Sequence, residues 1–155
     1  MKKTDLAYLA GIFDGEGCIV IHDRQWITKT GIKRIGFYPE ICVASTNEWI
    51  IQQLKFAFGG NVYLRKKGTT RAQPIWAWQT TSKKATSCLK ALLPYLRLKR
   101  RQAELAIEME NRRRPRGSHK LEPKDNIAWQ QAQKILISKL NKGKATSRET
   151  GGNNQ

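Results

Sequence analysis

Two hydrophobic periods alternate along the chain. Residues 5–14 follow a helical spacing, with Thr4 or Asp5 able to cap the start. Gly15 and Gly17 should break that helix. Ala7, Gly11 and Gly15 fall four apart on one face, and such a face lets another backbone come close. Cys18–Arg24 is β-branched at its centre and reads as a strand. In it Ile19 and Ile21 face a core, while Val20, His22, Arg24 and then Trp26 face the other way. A basic turn at 29–33 leads to a second strand over about 34–44. There Phe37, Ile41 and Val43 share one parity, and Tyr38, Glu40 and Cys42 the other. Pro39 predicts a bulge or an edge position.

Ser45 and Glu48 stand at capping-box spacing before an apolar stripe of Trp49, Ile50, Leu54, Ala57 and Phe58, which Gly59-Gly60 ends. Residues 61–67 form a third strand with Val62 and Leu64 towards the core, and 75–81 a fourth. The pattern leaves open whether Trp76 and Trp78 or Ala77 and Gln79 of that strand point inward. A helix from Ser82 buries Ala85, Cys88, Leu89, Leu92 and Leu93 and is interrupted by Pro94. A long basic helix opens near Leu96 and runs to about Arg113. Pro123 suits the first position of a last helix, with Ile127, Trp129, Ala132, Ile135, Leu136 and Leu140 available for burial up to about residue 140.

The resulting order is α+β, with two hairpins and the helices on one sheet face. The other face would be open and lined by His22, Arg24, Tyr38, Glu40, Arg65 and Lys67. The expected organisation is a core domain over 1–110, a basic linker at 111–121, a helix within 122–142 and a disordered tail at 143–155.

Charge says what such an open face could meet. Lys and Arg number 29 against 12 acids, a formal net charge of +17. That favours a polyanionic partner, nucleic acid first. Three separated cysteines and two histidines offer neither a disulfide framework nor a Cys/His metal site. No apolar run is long enough for a membrane span, and no leader peptide is legible, so an intracellular location is expected.

The segment Leu9-Ala10-Gly11-Ile12-Phe13-Asp14-Gly15-Glu16-Gly17, set in the order αββαββα, resembles the signature of the LAGLIDADG homing endonucleases. The resemblance continues through Gly59–Arg65 and Leu93–Ala103, and covers roughly residues 5 to 110. It implies a saddle-shaped antiparallel sheet with extra C-terminal helices behind it. It further implies a sequence-specific double-strand DNA endonuclease that hydrolyses phosphodiester bonds with a divalent metal, Mg²⁺. Only one signature is present, and single-motif members of this family are homodimers. The face of Ala7, Gly11 and Gly15 would then pack on its own copy, over a nearly palindromic site.

On the same resemblance, Glu16 is the metal-binding and catalytic acid, although aspartate is usual there. Gly15 offers a backbone carbonyl to the metal, and Lys99 stands near the scissile phosphate. Ser45 falls where the family often carries Gln or Asn in a solvent network. Asp14 can instead fix the turn by hydrogen bonding. DNA-reading candidates are His22, Arg24, Trp26, Thr28, Tyr38, Glu40, Arg65 and Lys67, with Arg112, Arg113, Arg114 and Arg116 on phosphates. The alternatives are an intron maturase that binds RNA, and a DNA-binding protein of the same fold that does not cut.

Overall fold

The computed structural model describes residues 1–113 and 122–149. The order is α1 (Lys3–Glu16), β1 (Gly17–Ile27), β2 (Lys33–Ser45), α2 (Glu48–Phe58), β3 (Asn61–Lys66), β4 (Ile75–Thr81), α3 (Ser82–Leu92), α4 (Arg100–Arg112) and α5 (Lys124–Glu149). The αββαββα order is therefore present, followed by two further helices. The four strands form one antiparallel sheet in the order β1-β2-β4-β3. Among the described residues, no helix is long and apolar enough to cross a membrane.

The helix-side face of the sheet carries Ile19, Ile21, Phe37, Ile41, Val43 and Trp78, all buried. They meet Leu9, Ala10 and Phe13 of α1, Ile51 and Leu54 of α2, and the buried side of α3 and α4. Strand alternation explains the parity of β1 and β2. β4 is settled by its partners: Trp78 stands opposite both Val43 and Val62, and its indole N–H donates to Gly59 O at 2.7 Å. Trp76, Trp78 and Thr80 therefore point inward. Gly60, at φ +92°, leaves room for that indole, because a β-carbon there would lie 3.0 Å from Trp78 Nε1.

Several boundaries differ from the sequence reading. α1 runs through Gly15 to Glu16, and the break falls at Gly17. A β-carbon on Gly17 would sit 2.4 Å from Phe13 O and 2.6 Å from Phe13 Cδ2, so this glycine is required by close approach. The cap is not Thr4: Asp5, inside the first turn, accepts from Lys2 N–H at 2.9 Å. Asn47, not Ser45, precedes α2, while Ser45 ends β2 and its Oγ accepts from Asn47 N–H at 3.0 Å. The buried residues of α2 are Ile51 and Leu54, and Trp49 is exposed. Pro39 makes no bulge. The register with β1 is continuous through Ile21↔Pro39, and the β4 ladder begins only at Glu40, so towards β4 Pro39 lies at an edge.

α4 starts at Arg100 rather than Leu96, because the amides of residues 97–99 are bound elsewhere. α5 continues past residue 140 to Glu149, so Gly143 does not end it; one glycine costs a helix only about 1 kcal/mol. α5 packs on β1 and α4. Gln130 and Ile137 are buried there and Ile127, Trp129 and Leu140 pack partly buried against the core, while Ile135 and Leu136 are exposed and Ala132 faces solvent. Polar residues sit on the packed side because β1 offers them partners: Lys134 pairs with Asp23, and Asn141 Nδ2 donates to Ile19 O at 2.9 Å. Residues 114–121 of the expected linker and 150–155 of the expected tail lie outside the described residues, as do Arg114 and Arg116.

Candidate nucleic-acid interface and active site

The C-terminal end of α1 is fixed by one carboxylate. Asp14 accepts three backbone amides from the segment before α4: Arg97 at 2.7 Å and Leu98 at 3.2 Å on one oxygen, and Lys99 at 2.9 Å on the other. Lys99 Nζ donates in return to the Asp14 carbonyl. The lysine is only 6% exposed, so its ammonium is held at the helix end rather than waving in solvent. Glu16, the last residue of α1, is exposed. Ser45 stands two positions past Val43, which pairs with Gly17, so it shares this end of the sheet. The structure thus gathers Gly15, Glu16 and Lys99 at one corner, with Ser45 along the same rim.

An acid in the last helical turn opposes the helix dipole, at a cost of about 0.3–1 kcal/mol. α1 carries no basic residue in that turn. Its final carbonyls, Gly15 among them, have no amide further along the helix to receive. The corner is therefore a negative helix end made of hard oxygen donors, a set that suits Mg²⁺ with several retained waters. Among the described residues no group of three or more His, Cys, Asp or Glu gathers to enclose an ion. At this corner the chain offers Glu16 and backbone oxygen.

The open face of the sheet is read from the register. Successive pairs across β1 and β2 are Cys18↔Cys42, Val20↔Glu40, His22↔Tyr38, Arg24↔Gly36 and Trp26↔Arg34. The rings of His22 and Tyr38 lie 5.6 Å apart, and His22 Nε2 is 3.5 Å from Glu40 Oε1. The Trp26 ring covers Gly36, where a β-carbon would be 3.2 Å from it. Arg24, Trp26, Tyr38, Thr81, Ser82 and Arg113 line an open groove of about 760 Å³ on this side. Tyr63 Oη donates to Gln79 Oε1 at 3.2 Å across β3 and β4.

Two of the strand candidates sit differently from the alternation. Thr28 belongs to the hairpin turn, where its Oγ1 accepts from Ile32 N–H at 3.1 Å and bonds Thr30 Oγ1 at 2.9 Å. A register shift between Leu64 and Lys66 sets Lys66 opposite Ile75, on the open face beside Arg65, and Lys67 lies beyond the strand. Arg34, Lys66, Gln79 and Ser82 were absent from the sequence candidates. Parity alone selects Arg34, whereas the bulge that turns Lys66 has no sequence signal.

Cys18 and Cys42 stand directly opposite on this face, and Cys88 is buried in α3. The hydrogen bond from Cys42 lowers the Cys18 thiol to about 6, against the opposing effect of burial and with help from the Lys99 charge. The same bond, with burial, holds Cys42 well above the usual thiol value. Burial alone pushes Cys88 up.

On α1, Ala7, Tyr8, Gly11 and Gly15 are exposed, and a β-carbon on Gly11 or Gly15 would meet open space. The small-residue face is thus turned away from this chain's own core.

No family model and no curated protein matches the chain. Solved structures do. The homing endonuclease I-CvuI, in complex with its target in the presence of Ca, is similar at 21% identity and TM-score 0.64, over 88% of this chain and 82% of that one. The archaeal intron-encoded homing endonuclease I-Vdi141I, complexed with DNA, is similar at 13% identity and TM-score 0.52, over 91% and 99%. The I-SmaMI LAGLIDADG homing endonuclease, bound to cleaved DNA, is similar at 20% identity and TM-score 0.51, over 71% of this chain and 36% of that one. With its signature helix, its two hairpins and these likenesses, the chain has the fold of the LAGLIDADG homing endonucleases.

Proposed function

We propose that the protein is a sequence-specific, divalent-metal-dependent DNA endonuclease that works as a homodimer on a nearly palindromic site. The observation that carries this reading is the corner where α1 ends: an exposed Glu16, set against the helix dipole, beside a lysine held in place by Asp14. The exposed stripe of Ala7, Gly11 and Gly15 supports packing of two copies along α1. That packing would bring two Glu16 carboxylates to one seam. The basic open sheet, +17 overall, supports duplex DNA as the partner.

When bound, Mg²⁺ would neutralise phosphate charge and lower the pKa of a coordinated water. Glu16 and the Gly15 carbonyl would hold it. Lys99 points its Nζ to where charge develops on the phosphate oxygens. Ser45, at the rim, orients solvent. Arg24, Trp26, Tyr38, Glu40 and His22 face the groove edges of the DNA. Arg65 and Lys66 do so from β3, and Arg113 meets phosphate.

The test is cleavage of a randomised duplex library with Mg²⁺ by the wild type and by Glu16→Gln. The expected result is cutting at one enriched site by the wild type, with binding but no cutting by the variant. Duplex binding without any nick, together with tight binding of a structured intron RNA, would overturn the reading.

A further inference from the structure

Cys18 and Cys42 are unused by the reading above, and the sheet sets these two thiols face to face. They lie in a continuous antiparallel register, flanked by Gly17↔Val43 and Ile19↔Ile41. Directly opposed residues of such a ladder have Cα atoms about 4.5–5.5 Å apart, inside the roughly 4.4–6.8 Å that a disulfide accepts. Both thiols are half-buried on the open face, so a small reagent can reach them, whereas Cys88 is 1% exposed within α3. Both are free here, and no third metal-ligating side chain among the described residues joins them.

We infer that Cys18 and Cys42 form a redox-active dithiol, which an anionic low-molecular-weight disulfide such as oxidised glutathione converts reversibly to a cross-strand disulfide. The exchange balances without a further oxidant. One cysteine, as thiolate, attacks a sulfur of the small disulfide, forming a mixed disulfide and releasing one small thiolate. The second cysteine gives up its proton and attacks the protein sulfur of that mixed disulfide. The second small thiol leaves, two protein thiols have been oxidised, and one small disulfide has been reduced to two thiols. The net charge of +17 favours an anionic reagent over a neutral one. The bridge ties β1 to β2 just after the α1 end that carries Glu16.

The experiment treats the full-length reduced protein with oxidised glutathione, quenches by alkylation and maps peptides by mass spectrometry. The expected product has lost two of its three thiols. It carries no glutathione, shows a Cys18 peptide linked to a Cys42 peptide, and returns to the reduced form with dithiothreitol. Cys18→Ser and Cys42→Ser should each stop at one glutathione adduct on the remaining partner, with unchanged circular dichroism. Stable adducts on both cysteines of the wild type would overturn the proposal. So would a bridge to Cys88, linkage only between chains, or absence of any bridge. The wild-type map decides the matter even if a variant folds poorly, and it reads nothing about DNA cleavage.

Discussion

Asp14 and Lys99 hold each other in both directions. The carboxylate of Asp14 takes the backbone amide of Lys99, and the Lys99 ammonium donates to the Asp14 carbonyl. With the amides of Arg97 and Leu98 on the same carboxylate, this locks the end of α1 to the start of α4. Asp14→Ala leaves three amides without that partner and should cost about 2 kcal/mol of stability. Calorimetry reads the stability. Cleavage should fall further than the lost folded fraction explains, because the backbone of Lys99 loses its carboxylate anchor even though the Asp14 carbonyl that receives its Nζ remains. A variant that is destabilised yet cuts normally when folded would show that Lys99 needs no such positioning.

Lys99→Met is the complementary change. It keeps the length of the side chain and removes the charge. Loss of one preorganised donor at a developing oxyanion lowers kcat about 10²–10³-fold, and a fall of that order is expected here. DNA affinity should stay within a small factor, since many other cations remain. Single-turnover cleavage with saturating enzyme separates the two effects, and an equal fall in binding would assign Lys99 to the DNA backbone instead.

The three glycines at the end of α1 should separate folding from assembly. Gly17→Ala forces a β-carbon onto Phe13 and should destabilise by about 1–3 kcal/mol. Gly11→Ala and Gly15→Ala meet open space in one chain and should gain helix stability, up to about 1 kcal/mol each. The same two changes should weaken self-association, because added methyl groups hold two α1 faces apart. Sedimentation as a function of concentration checks this. Unaltered association of the Gly11 and Gly15 variants would place the contact elsewhere.

Some of this was legible in the sequence and some was not, for identifiable reasons. β1 alternates and β2 does so usably around Pro39, so parity assigns Ile19, Ile21, Phe37, Ile41 and Val43 to the core. β4 alternates Trp with Ala and Gln, and either side can pack. Only the opposition of Trp78 to Val43 and Val62 decides it. The α4 start was missed because Leu96–Lys99 has helical propensity, which the long-range bonds to Asp14 override. α5 differs for a related reason: its packed side also holds Lys134 and Asn141, whose partners lie on distant β1. At the site, Glu16 and Lys99 are singled out by the family resemblance, whereas Lys66 depends on a bulge that no residue type announces.

That bulge makes a prediction about DNA binding. Lys66 shares the open face with Arg65, and Lys67 follows the strand. Lys66→Ala should weaken duplex binding and reduce the slope of log K against log salt by about 1, the signature of one lost phosphate contact. Lys67→Ala should change the slope less. Titrations at several salt concentrations compare them, and the reverse order would mean that β3 presents its other face to DNA.

Asp23 and Lys134 give a pH test of how α5 is held. The hydrogen bond from the Lys134 ammonium, and then its charge, hold the Asp23 carboxyl below the usual carboxylate value. A group whose folded pKa is depressed stabilises above its unfolded pKa, about 3.9 for Asp. That contribution is lost as pH falls through the lower, folded value. The wild type should therefore melt above Asp23→Asn near neutral pH, and the gap should close as pH drops below about 4. Because the pair is partly exposed, the gap should also shrink in high salt. Melting followed by circular dichroism over this range measures it. A gap that is constant with pH would mean that Asp23 acts through packing or its backbone, not through the charge it shares with α5.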